Sequence, residues 1–522
     1  MKLRVIAWLI IILGMLLCRA AFLEDVIYNI DEAEYAVAAD ALDHGWLPGV
    51  DLLGSTKPPA IAILYNLLFH IFDRTMAVIH WAHLVIVIFS GLLVIELAVA
   101  IFGVSAAIPA AVLFWMVSNT FNLPSEMLAL NVESPGMLLI LGALLIVWKY
   151  SANRGPVLVA GVLAGTAIMF RQSTALFLLS LGYLILASTR PRWKQLIAAG
   201  IGIFIPWIPI FIIYSKAGGI GWAWDSWVRY PITYAGDVGF LGLIQAFYMN
   251  TGEFAVQATV PLALAIGGGI VLWRNRTERA SRFVMILLVA SIVALFSGSR
   301  FFGHYWIQIY PVFALLGIPA WLSLWRGKTF PNKGLLIGAI IIGGLVAGLH
   351  FPTWRRWDPG APPPGVGHYA MTDQSLEIET GAFAKAHTTS DETIAVWGYC
   401  PQIYYYAGRL PGVRDYLCHY ITGYSPGSFD PFSQRAFRQS GHLMAEAMFL
   451  EDLQQHRPKY IFDLVQVSNY VFTFQKYSLR TYPQVAEYVT QNYLPEGQIG
   501  EVLIYRRRTP EDTWWPSPDD IE

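Results

Sequence analysis

Apolar runs of membrane-spanning length recur along the first two thirds of this chain, and they constrain its fold more than any other feature. A helix of about 17–25 predominantly apolar residues crosses a bilayer, because it satisfies its own backbone groups in lipid. About eleven such runs are predicted, at 5–22, 78–101, 105–120, 135–149, 156–170, 173–188, 195–215, 256–273, 283–298, 305–325 and 334–350. Only 14% of the residues are charged, whereas a soluble domain carries about a quarter. The chain is therefore predicted to be a polytopic α-helical membrane protein.

The basic residues indicate how these spans are oriented. Lys and Arg cluster at 2–4, 149–154, 190–194, 274–282 and 326–333. Every cluster falls on the same side if eleven spans alternate, and clusters of positive charge mark the cytoplasm. The N-terminus is thus predicted to be cytoplasmic, in a cell inner (plasma) membrane. The length of run 5–22 and its Arg19 favour a retained anchor over a cleaved signal peptide.

The composition changes near residue 350, which divides the chain into two predicted domains. Residues 1–350 hold the apolar runs, and residues 351–522 have the composition of a soluble domain. Strands at 393–398, 460–465 and 501–505 alternate with helices, which predicts a small extracytoplasmic α/β domain. Cys400 and Cys418 in this domain form either a disulfide or two separate thiols. A net charge of −1 and the lack of a basic patch argue against a nucleic-acid partner.

The first outer loop, residues 23–57, concentrates the residues that suit chemistry. Asp31 and Glu32 begin a predicted surface helix at 31–44, with Tyr35 on its apolar side. Asp31 is either the cap of that helix, in a capping box with Glu34, or a catalytic carboxylate. Lys57 stands before two prolines that favour a helix start, where phosphate binds well, although a lysine here also anchors in lipid headgroups. The carboxylate pair and the lysine suit chemistry on a lipid-linked phosphate.

Five short stretches together resemble a known family. Asp-Glu-x-x-Tyr-Ala followed by Lys-Pro-Pro resembles the first outer loop of the GT-C glycosyltransferases, and in particular the aminoarabinose transferase and protein O-mannosyltransferase group. The matching stretches lie at 31–36, 57–59, 170–172, 303–305 and 404–409. The resemblance implies a GT-C fold and a bacterial-type enzyme that takes a sugar from a polyprenyl-phosphate donor. It also implies that Asp31 is the essential acidic residue. Many relatives have Arg at the position of Glu34, so the contacts to the donor stay open.

The residues can be assigned roles in such a transfer. Asp31 is the candidate base for the acceptor hydroxyl, and Glu32 would orient Asp31 or the acceptor. The leaving phosphate needs positive charge, for which the candidates are Lys57, Arg171 and Arg300. The alternative for both arginines is snorkelling to the interface. If no nucleophile is required, a single displacement would invert the anomeric carbon.

The second outer loop, about 121–134, offers acids and no base. Glu126 and Glu133 either bind the acceptor or sugar, or join His304 at a divalent cation, or are solvated loop acids. No metal site is predicted and no cofactor is required, although a divalent cation is compatible with these residues. The candidate substrate-binding residues are Tyr35, Glu126, Glu133, Gln172, His304 and Tyr305. The Trp- and Tyr-rich segment 216–252 is predicted to be a loop that covers the site or anchors at the interface.

The sequence also leaves one rival function of a different class. A transporter or flippase of a lipid-linked sugar would use the same spans and interfacial charges. Such proteins show internal repeats or broken helices near the membrane centre, and no clear repeat is visible here. An integral-membrane glycosyltransferase acting at the extracytoplasmic face is therefore the favoured prediction. Its partners would be the bilayer, the polyprenyl-phosphate sugar donor, and a glycan, lipid or protein acceptor.

Overall fold

The computed structural model divides the chain into two units. The described residues are 1–53, 57–119, 124–188, 192–236, 238–325, 374–423, 435–465 and 477–512. The first unit comprises Met1–Glu32 and Thr56–Met371, and the second comprises Ala33–Ser55 and Thr372–Glu522. Most of the first outer loop thus groups with the C-terminal residues. The predicted domain boundary at 350 and the predicted span 334–350 lie outside the described residues.

The first unit is built from helices, as the apolar runs predict. In chain order they are α1 (Lys2–Arg19), α2 (Ile30–Asp43), α3 (Ala60–Ile71), α4 (Met76–Phe102), α5 (Ala107–Ser118), α6 (Pro124–Leu128), α7 (Glu133–Tyr150), α8 (Arg154–Phe170), α9 (Leu178–Leu186), α10 (Arg192–Phe204), α11 (Trp207–Lys216), α12 (Ile220–Trp224), α13 (Tyr230–Gly236), α14 (Gly239–Gln257), α15 (Thr259–Arg274), α16 (Arg279–Phe296) and α17 (Tyr310–Trp325). Helix α2 starts in this unit and continues into the second. Short 3₁₀ helices at Gln172–Phe177 and Gly303–Gln308 precede α9 and α17.

Several of these helices are long enough to cross a bilayer. Among the described residues, α1, α4, α7 and α16 are long and apolar enough to cross a bilayer. Helices α10 and α11, which meet at a bend of 41°, add a fifth if the pair is counted as one span. Other apolar helices, such as α3, α5 and α8, are shorter. The number of eleven spans stays a prediction. The predicted loop at 216–252 is wrong, because α12, α13 and α14 occupy this segment.

Glycines bring two helices of the first unit into close contact. Helix α8 packs against α10, with Gly161 and Gly165 of α8 one helical turn apart. A Cβ atom at Gly165 would lie 2.2 Å from the backbone oxygen of Ile203, and one at Gly202 would lie 2.3 Å from the backbone oxygen of Leu158. Small residues spaced in this way let the backbones of membrane helices touch.

Arg19 fixes the end of α1 inside the helical unit. Its guanidinium donates to the backbone oxygens of Ser118 at 2.6 Å and Met127 at 2.8 Å, and to Asn119 Oδ1 at 3.1 Å. The side chain is buried, and charge-assisted bonds of this kind are strong. Helix α1 also packs against α4 and α5, and its retention as an anchor stays a prediction.

The second unit contains a four-stranded mixed sheet. Its strands are β1 (Ile394–Trp397), β2 (Tyr460–Asp463), β3 (Tyr493–Ile499) and β4 (Val502–Arg507), in the order β1-β2-β4-β3. Strands β1 and β2 are parallel, with Ile394 opposite Tyr460, and the other pairs are antiparallel. Its helices are α18 (Ser375–His387), α19 (Pro401–Ala407), α20 (His419–Thr422), α21 (Arg435–His456) and α22 (Pro483–Asn492).

Two features of this unit bear on the sequence predictions. Cys400 and Cys418 are buried free thiols, so the structure favours the two separate thiols. Asp415 is also buried and accepts hydrogen bonds from the backbone N–H groups of three residues at the start of α20, at 2.9–3.0 Å. These bonds stabilise a turn in which Cys418 has a left-handed backbone, with φ 55°.

Candidate active site

Asn29, not Asp31, caps the helix that carries the acidic pair. Asn29 Oδ1 accepts a hydrogen bond from the Asp31 N–H at 2.9 Å, and Glu32 Oε2 accepts one from the Asn29 N–H at 3.3 Å. This reciprocal arrangement is a capping box made by Asn29 and Glu32. The interpretation of Asp31 and Glu34 as the capping pair is therefore wrong, and the Asp31 carboxylate is not used as the cap.

Glu32 is buried in a polar network. Its carboxylate accepts hydrogen bonds from the N–H groups of Tyr28 at 2.9 Å and Leu130 at 3.0 Å, and lies 3.3 Å from His80 Nε2. The side chain is 0% exposed. These contacts fix the first turn of α2. That Glu32 orients Asp31 or the acceptor stays a prediction.

Asp31 pairs with Lys57 across the ends of the first outer loop. Asp31 Oδ2 lies 3.5 Å from Lys57 Nζ, and the two side chains are 14% and 18% exposed. Lys57 precedes α3, which begins at Ala60 directly after the two prolines, as predicted. The structure thus places the candidate base beside the candidate phosphate ligand in a mostly buried position, where a charge pair is weakly screened.

The two acids of the second outer loop meet the other predicted polar residues. Glu133 forms an ion pair with Arg171, and Glu126 forms one with His304 Nδ1. His304 Nε2 lies 3.8 Å from Glu133 Oε1, so the imidazole stands between the two carboxylates. The alternative of solvated loop acids is wrong, since both carboxylates are buried. The short helix α6 and the first turn of α7 hold them in place.

Each of the two arginines of the site lies over an aromatic ring. The Arg171 guanidinium lies 4.1 Å from the ring centre of Tyr305, and the Arg300 guanidinium lies 4.4 Å from that of Tyr234. Cations over aromatic faces at this distance are attracted by the ring. Arg300 is fully buried, and residues 299 and 301 on either side of it have positive φ angles of 56° and 55°. Backbone strain of this kind collects at functional sites.

The Asp31–Lys57 pair and the loop-2 acids belong to one polar region. Asp31 lies close enough to His304 for an electrostatic interaction between the two side chains. Tyr305 interacts electrostatically with Lys57, Arg171 and Tyr234. The structure thus brings together the residues that the sequence assigned to the base, the phosphate and the second loop. All of them belong to the first unit. We call this group the outer polar cluster: Asp31, Lys57, Glu126, Glu133, Arg171, Tyr234, Arg300, His304 and Tyr305.

Gln172 and Tyr35 are the two remaining predicted substrate-binding residues. Gln172 donates from Nε2 to the backbone oxygen of Trp227 at 2.8 Å, so its amide holds the segment after α12. Tyr35 lies on α2 in the second unit and is buried. Among the described residues, no group of three His, Cys, Asp or Glu side chains is arranged to hold a metal ion. The compatibility with a divalent cation stays a prediction.

The sequence interpretation overlooked two buried histidines of α4 and one tyrosine. His80 contacts Glu32, and His83 bonds Leu128 O at 2.8 Å and Ser134 Oγ at 2.9 Å. Both histidines could have been identified from the sequence, because ionisable residues inside an apolar run are functional candidates. Tyr234 lies within the Trp- and Tyr-rich segment 216–252, and nothing in the residue spacing predicts its contact with Arg300.

Comparison with known proteins shows which fold this protein has. The fold is similar to that of ArnT from Cupriavidus metallidurans bound to undecaprenyl phosphate, with a TM-score of 0.54, 13% identity and 97% of each chain covered. It is also similar to the oligosaccharyltransferase AglB from Archaeoglobus fulgidus in complex with an inhibitory peptide and a dolichol-phosphate, with a TM-score of 0.53, 13% identity, and 97% of this chain and 74% of that chain covered. The chain therefore has the fold of these two proteins, which is the GT-C fold.

One family model matches part of the sequence. Residues 56–213 match the family described as dolichyl-phosphate-mannose-protein mannosyltransferase. This stretch begins at the end of the first outer loop, next to Lys57, and includes Glu126, Glu133 and Arg171. No protein with a curated description matches the chain in sequence. The resemblance to the GT-C group is thus confirmed for the fold.

Proposed function

We propose that this protein is an integral-membrane glycosyltransferase that moves a sugar from a polyprenyl-phosphate donor to an acceptor at the extracytoplasmic face. The observation that carries the proposal is the ion pair of Asp31 and Lys57 at 3.5 Å. It places a proton acceptor beside a cation in a region only partly open to solvent. The GT-C fold and the lipid phosphates bound to ArnT and AglB support the choice of donor.

In the proposed reaction the acceptor hydroxyl oxygen forms a bond to the anomeric carbon of the sugar. The bond between that carbon and the phosphate oxygen breaks, and its electron pair leaves with the polyprenyl phosphate. Asp31 takes the hydroxyl proton as general base. Lys57, Arg171 and Arg300 supply positive charge to the leaving phosphate. One displacement of this kind inverts the configuration at the anomeric carbon.

The neighbouring acids would set how these cations are held. Glu133 neutralises Arg171, and His304 lies between Glu133 and Glu126. Such a network holds charged side chains in fixed positions, which is how preorganised sites stabilise developing charge. We therefore assign Glu126, Glu133 and His304 to positioning and to binding of the sugar or acceptor.

The proposal is tested with purified protein in lipid nanodiscs. A panel of radiolabelled polyprenyl-phosphate sugars serves as donor, and a cell-envelope extract supplies acceptors. We expect transfer from one donor, a loss of about 1,000-fold or more in Asp31→Asn, within the range that general-base catalysis contributes, and weaker donor use in Lys57→Ala. Matched controls are Asp43→Asn, an exposed carboxylate at the end of the same helix, and Lys385→Ala, an exposed lysine of α18.

Two results would count against the assignment. Full activity in Asp31→Asn would remove Asp31 as the base, and unchanged donor affinity in Lys57→Ala would remove the phosphate role of Lys57. If the folded wild-type protein transfers sugar from none of the donors in the panel, the proposal of a glycosyltransferase is refuted. The next assay would then measure flipping of lipid-linked sugars.

The proposed orientation has its own test. Single cysteines at Asp391 in the second unit and at Glu278 between α15 and α16 are both exposed. We expect a membrane-impermeant maleimide to label Asp391→Cys in intact cells and Glu278→Cys only after lysis, with the unsubstituted chain as background. The reverse pattern would place the outer polar cluster on the cytoplasmic side.

A further inference from the structure

Basic residues from three separate parts of the sequence meet at one end of the first unit. Arg4 of α1 and Lys149 of α7 both lie beside Glu96 of α4. Arg279, the first residue of α16, has its guanidinium 4.8 Å from the ring centre of Trp148 in α7. We call Arg4, Lys149 and Arg279 the basic rim.

The basic rim and the outer polar cluster lie at opposite ends of α7. Glu133 of that cluster is the first residue of α7, whereas Lys149 lies in its last turn. Helix α10 begins at the same end as the rim, since Gln195 in its first turn donates to the backbone oxygen of Ala152, just after α7, at 3.1 Å. Because α1, α7 and α16 are long and apolar enough to cross a bilayer, the rim lies where such helices leave the hydrocarbon. The proposed orientation places this end in the cytoplasm.

The rim holds more positive charge than the adjacent carboxylate neutralises. Arg4 Nη1 lies 3.8 Å and Lys149 Nζ lies 3.9 Å from the same oxygen, Glu96 Oε2. At these distances neither contact is a hydrogen bond, so both cations have N–H groups that can donate to a further acceptor. Arg279 adds a third positive charge, in a segment, 274–282, that contains four arginines and one glutamate. The rim therefore suits an anion.

The cations of the rim are more accessible than the carboxylate between them. The side chains of Arg4 and Lys149 are 41% and 39% exposed, against 19% for Glu96. Glu96 Oε1 is buried, and Arg279 is exposed. Glu96 thus lies behind the cations and holds two of them in place, and an anion that approaches the rim meets positive charge first.

The surroundings of the rim favour a lipid headgroup over a soluble anion. Trp8 lies one helical turn along α1 from Arg4, on the same side of the helix, and is 38% exposed. Trp193 in the first turn of α10 and Trp273 in the last turn of α15 are also exposed, and each ring lies beside a basic side chain. Tryptophan and basic residues in this combination mark the boundary of a bilayer. A phospholipid at the rim has its acyl chains beside these apolar surfaces, whereas a soluble anion makes no such contact.

We propose that the basic rim binds the headgroup of an acidic phospholipid, whose phosphate accepts hydrogen bonds from Arg4, Lys149 and Arg279. Basic sites between membrane helices recognise anionic headgroups by the same chemistry. The bound lipid would link the ends of α1, α7 and α16 through one shared anion. The inference goes beyond the proposed function and does not depend on it, since neither a sugar donor nor an acceptor takes part.

The proposal is tested by native mass spectrometry of the full-length protein. The protein is titrated with an equimolar mixture of phosphatidylglycerol and phosphatidylcholine that have the same acyl chains. Both lipids contain the phosphate, and only phosphatidylglycerol has a net negative charge. Since each Lys or Arg near a membrane surface favours acidic lipid by about fivefold, we expect a preference for phosphatidylglycerol of about 25-fold in the wild type. The double variant Lys149→Gln/Arg279→Gln should lose most of this preference.

Two further double variants serve as controls. Lys216→Gln/Arg229→Gln removes the same number of positive charges from exposed positions outside the rim, and it should keep the wild-type preference. Lys149→Arg/Arg279→Lys keeps the charge of the rim and should also keep the preference. If Lys149→Gln/Arg279→Gln does not fold, the single variants decide the question, and each should lower the preference by about fivefold.

Four results would overturn the proposal. The first is equal binding of the two lipids by the wild type, and the second is an unchanged preference in a folded Lys149→Gln/Arg279→Gln variant. The third is an equal loss in Lys216→Gln/Arg229→Gln, which would show a response to net charge and not to the rim. The fourth is displacement of phosphatidylglycerol by inorganic phosphate, which would make the rim a site for soluble phosphate.

Discussion

Replacement of Gly165 by alanine should damage this protein more than the loss of a single hydrogen atom suggests. The new Cβ atom would lie 2.2 Å from the backbone oxygen of Ile203, whereas contacts under 3.0 Å are essentially never seen. Because the obstructing atom belongs to the α10 backbone, no side chain can rotate away. Helices α8 and α10 must separate by about 0.8 Å near this point, the difference between those two distances.

The size of the effect follows from two opposing terms. Alanine favours a helix over glycine by about 0.5–1 kcal/mol, and overpacking a close contact costs about 1–3 kcal/mol. At Gly155 of the same helix nothing lies within 4 Å of an added Cβ, so only the first term applies there. We therefore expect Gly165→Ala to be less stable than Gly155→Ala by about 1–3 kcal/mol.

The displacement should also reach the outer polar cluster. Arg171 directly follows the last residue of α8, Phe170, so a shift of the helix moves the guanidinium relative to Glu133. A misplacement of about 1 Å in a positioning group can cost about 100-fold in rate. For the smaller shift expected here, we predict a loss of about tenfold in kcat for sugar transfer.

The assay compares both glycine variants in the same nanodiscs. Thermal unfolding is followed by size-exclusion chromatography after heating, and transfer is measured with the donor that the panel identifies. A Gly165→Ala variant as stable and as active as Gly155→Ala would refute the close approach of α8 and α10.

Three further predictions concern buried charges. Arg19→Met should destabilise the protein by about 3 kcal/mol or more, since it leaves two buried backbone oxygens and the partly buried Asn119 Oδ1 without their donor. Its thermal midpoint should fall below that of the half-exposed control Arg4→Met. Burial raises the pKa of Asp415 from 3.8 to about 6. The folded state therefore binds this proton more tightly, and about 3 kcal/mol of stability is lost as the pH rises from about 4 through 6. Asp415→Asn should remove that part of the pH dependence of thermal unfolding, and an unchanged pH dependence would contradict the assignment. Glu133→Gln should lower kcat more than it raises the donor KM, because Arg171 loses its anionic partner, and an unchanged kcat would count against this role.

In this protein the sequence predicts the secondary-structure elements better than it predicts the contacts between side chains. The helix start after Lys57 and the strands at 393–398, 460–465 and 501–505 are confirmed to within a few residues, because apolar runs and turn residues delimit them locally. Strand β3 was missed since Pro495 and Gly497 weaken any strand pattern. In the structure it is an edge strand whose register shifts between these two residues.

The acidic pair shows why the roles of adjacent residues are hard to separate from sequence. Asp31 and Glu32 look equivalent in the motif, but successive residues of a helix point in directions about 100° apart. One therefore faces Lys57 and the other enters the buried network. The family resemblance, and not the spacing of the two residues, predicts that Asp31 and Lys57 act together. The length of the segment between them does not determine the distance between their side chains.

The pairing of Asp31 with Lys57 implies an order of events, if the proposed function holds. In this arrangement the Asp31 carboxylate and the Lys57 ammonium group are paired with each other. A phosphate that binds at Lys57 competes with the carboxylate for the ammonium group. If the acceptor binds first, Asp31 is still paired with Lys57. If the donor binds first, its phosphate takes over Lys57 and Asp31 is released to act as the base. Initial-rate kinetics should accordingly show ordered addition with the donor first, and random addition would contradict this. In such an enzyme Asp31 becomes available as a base only after the sugar donor has bound.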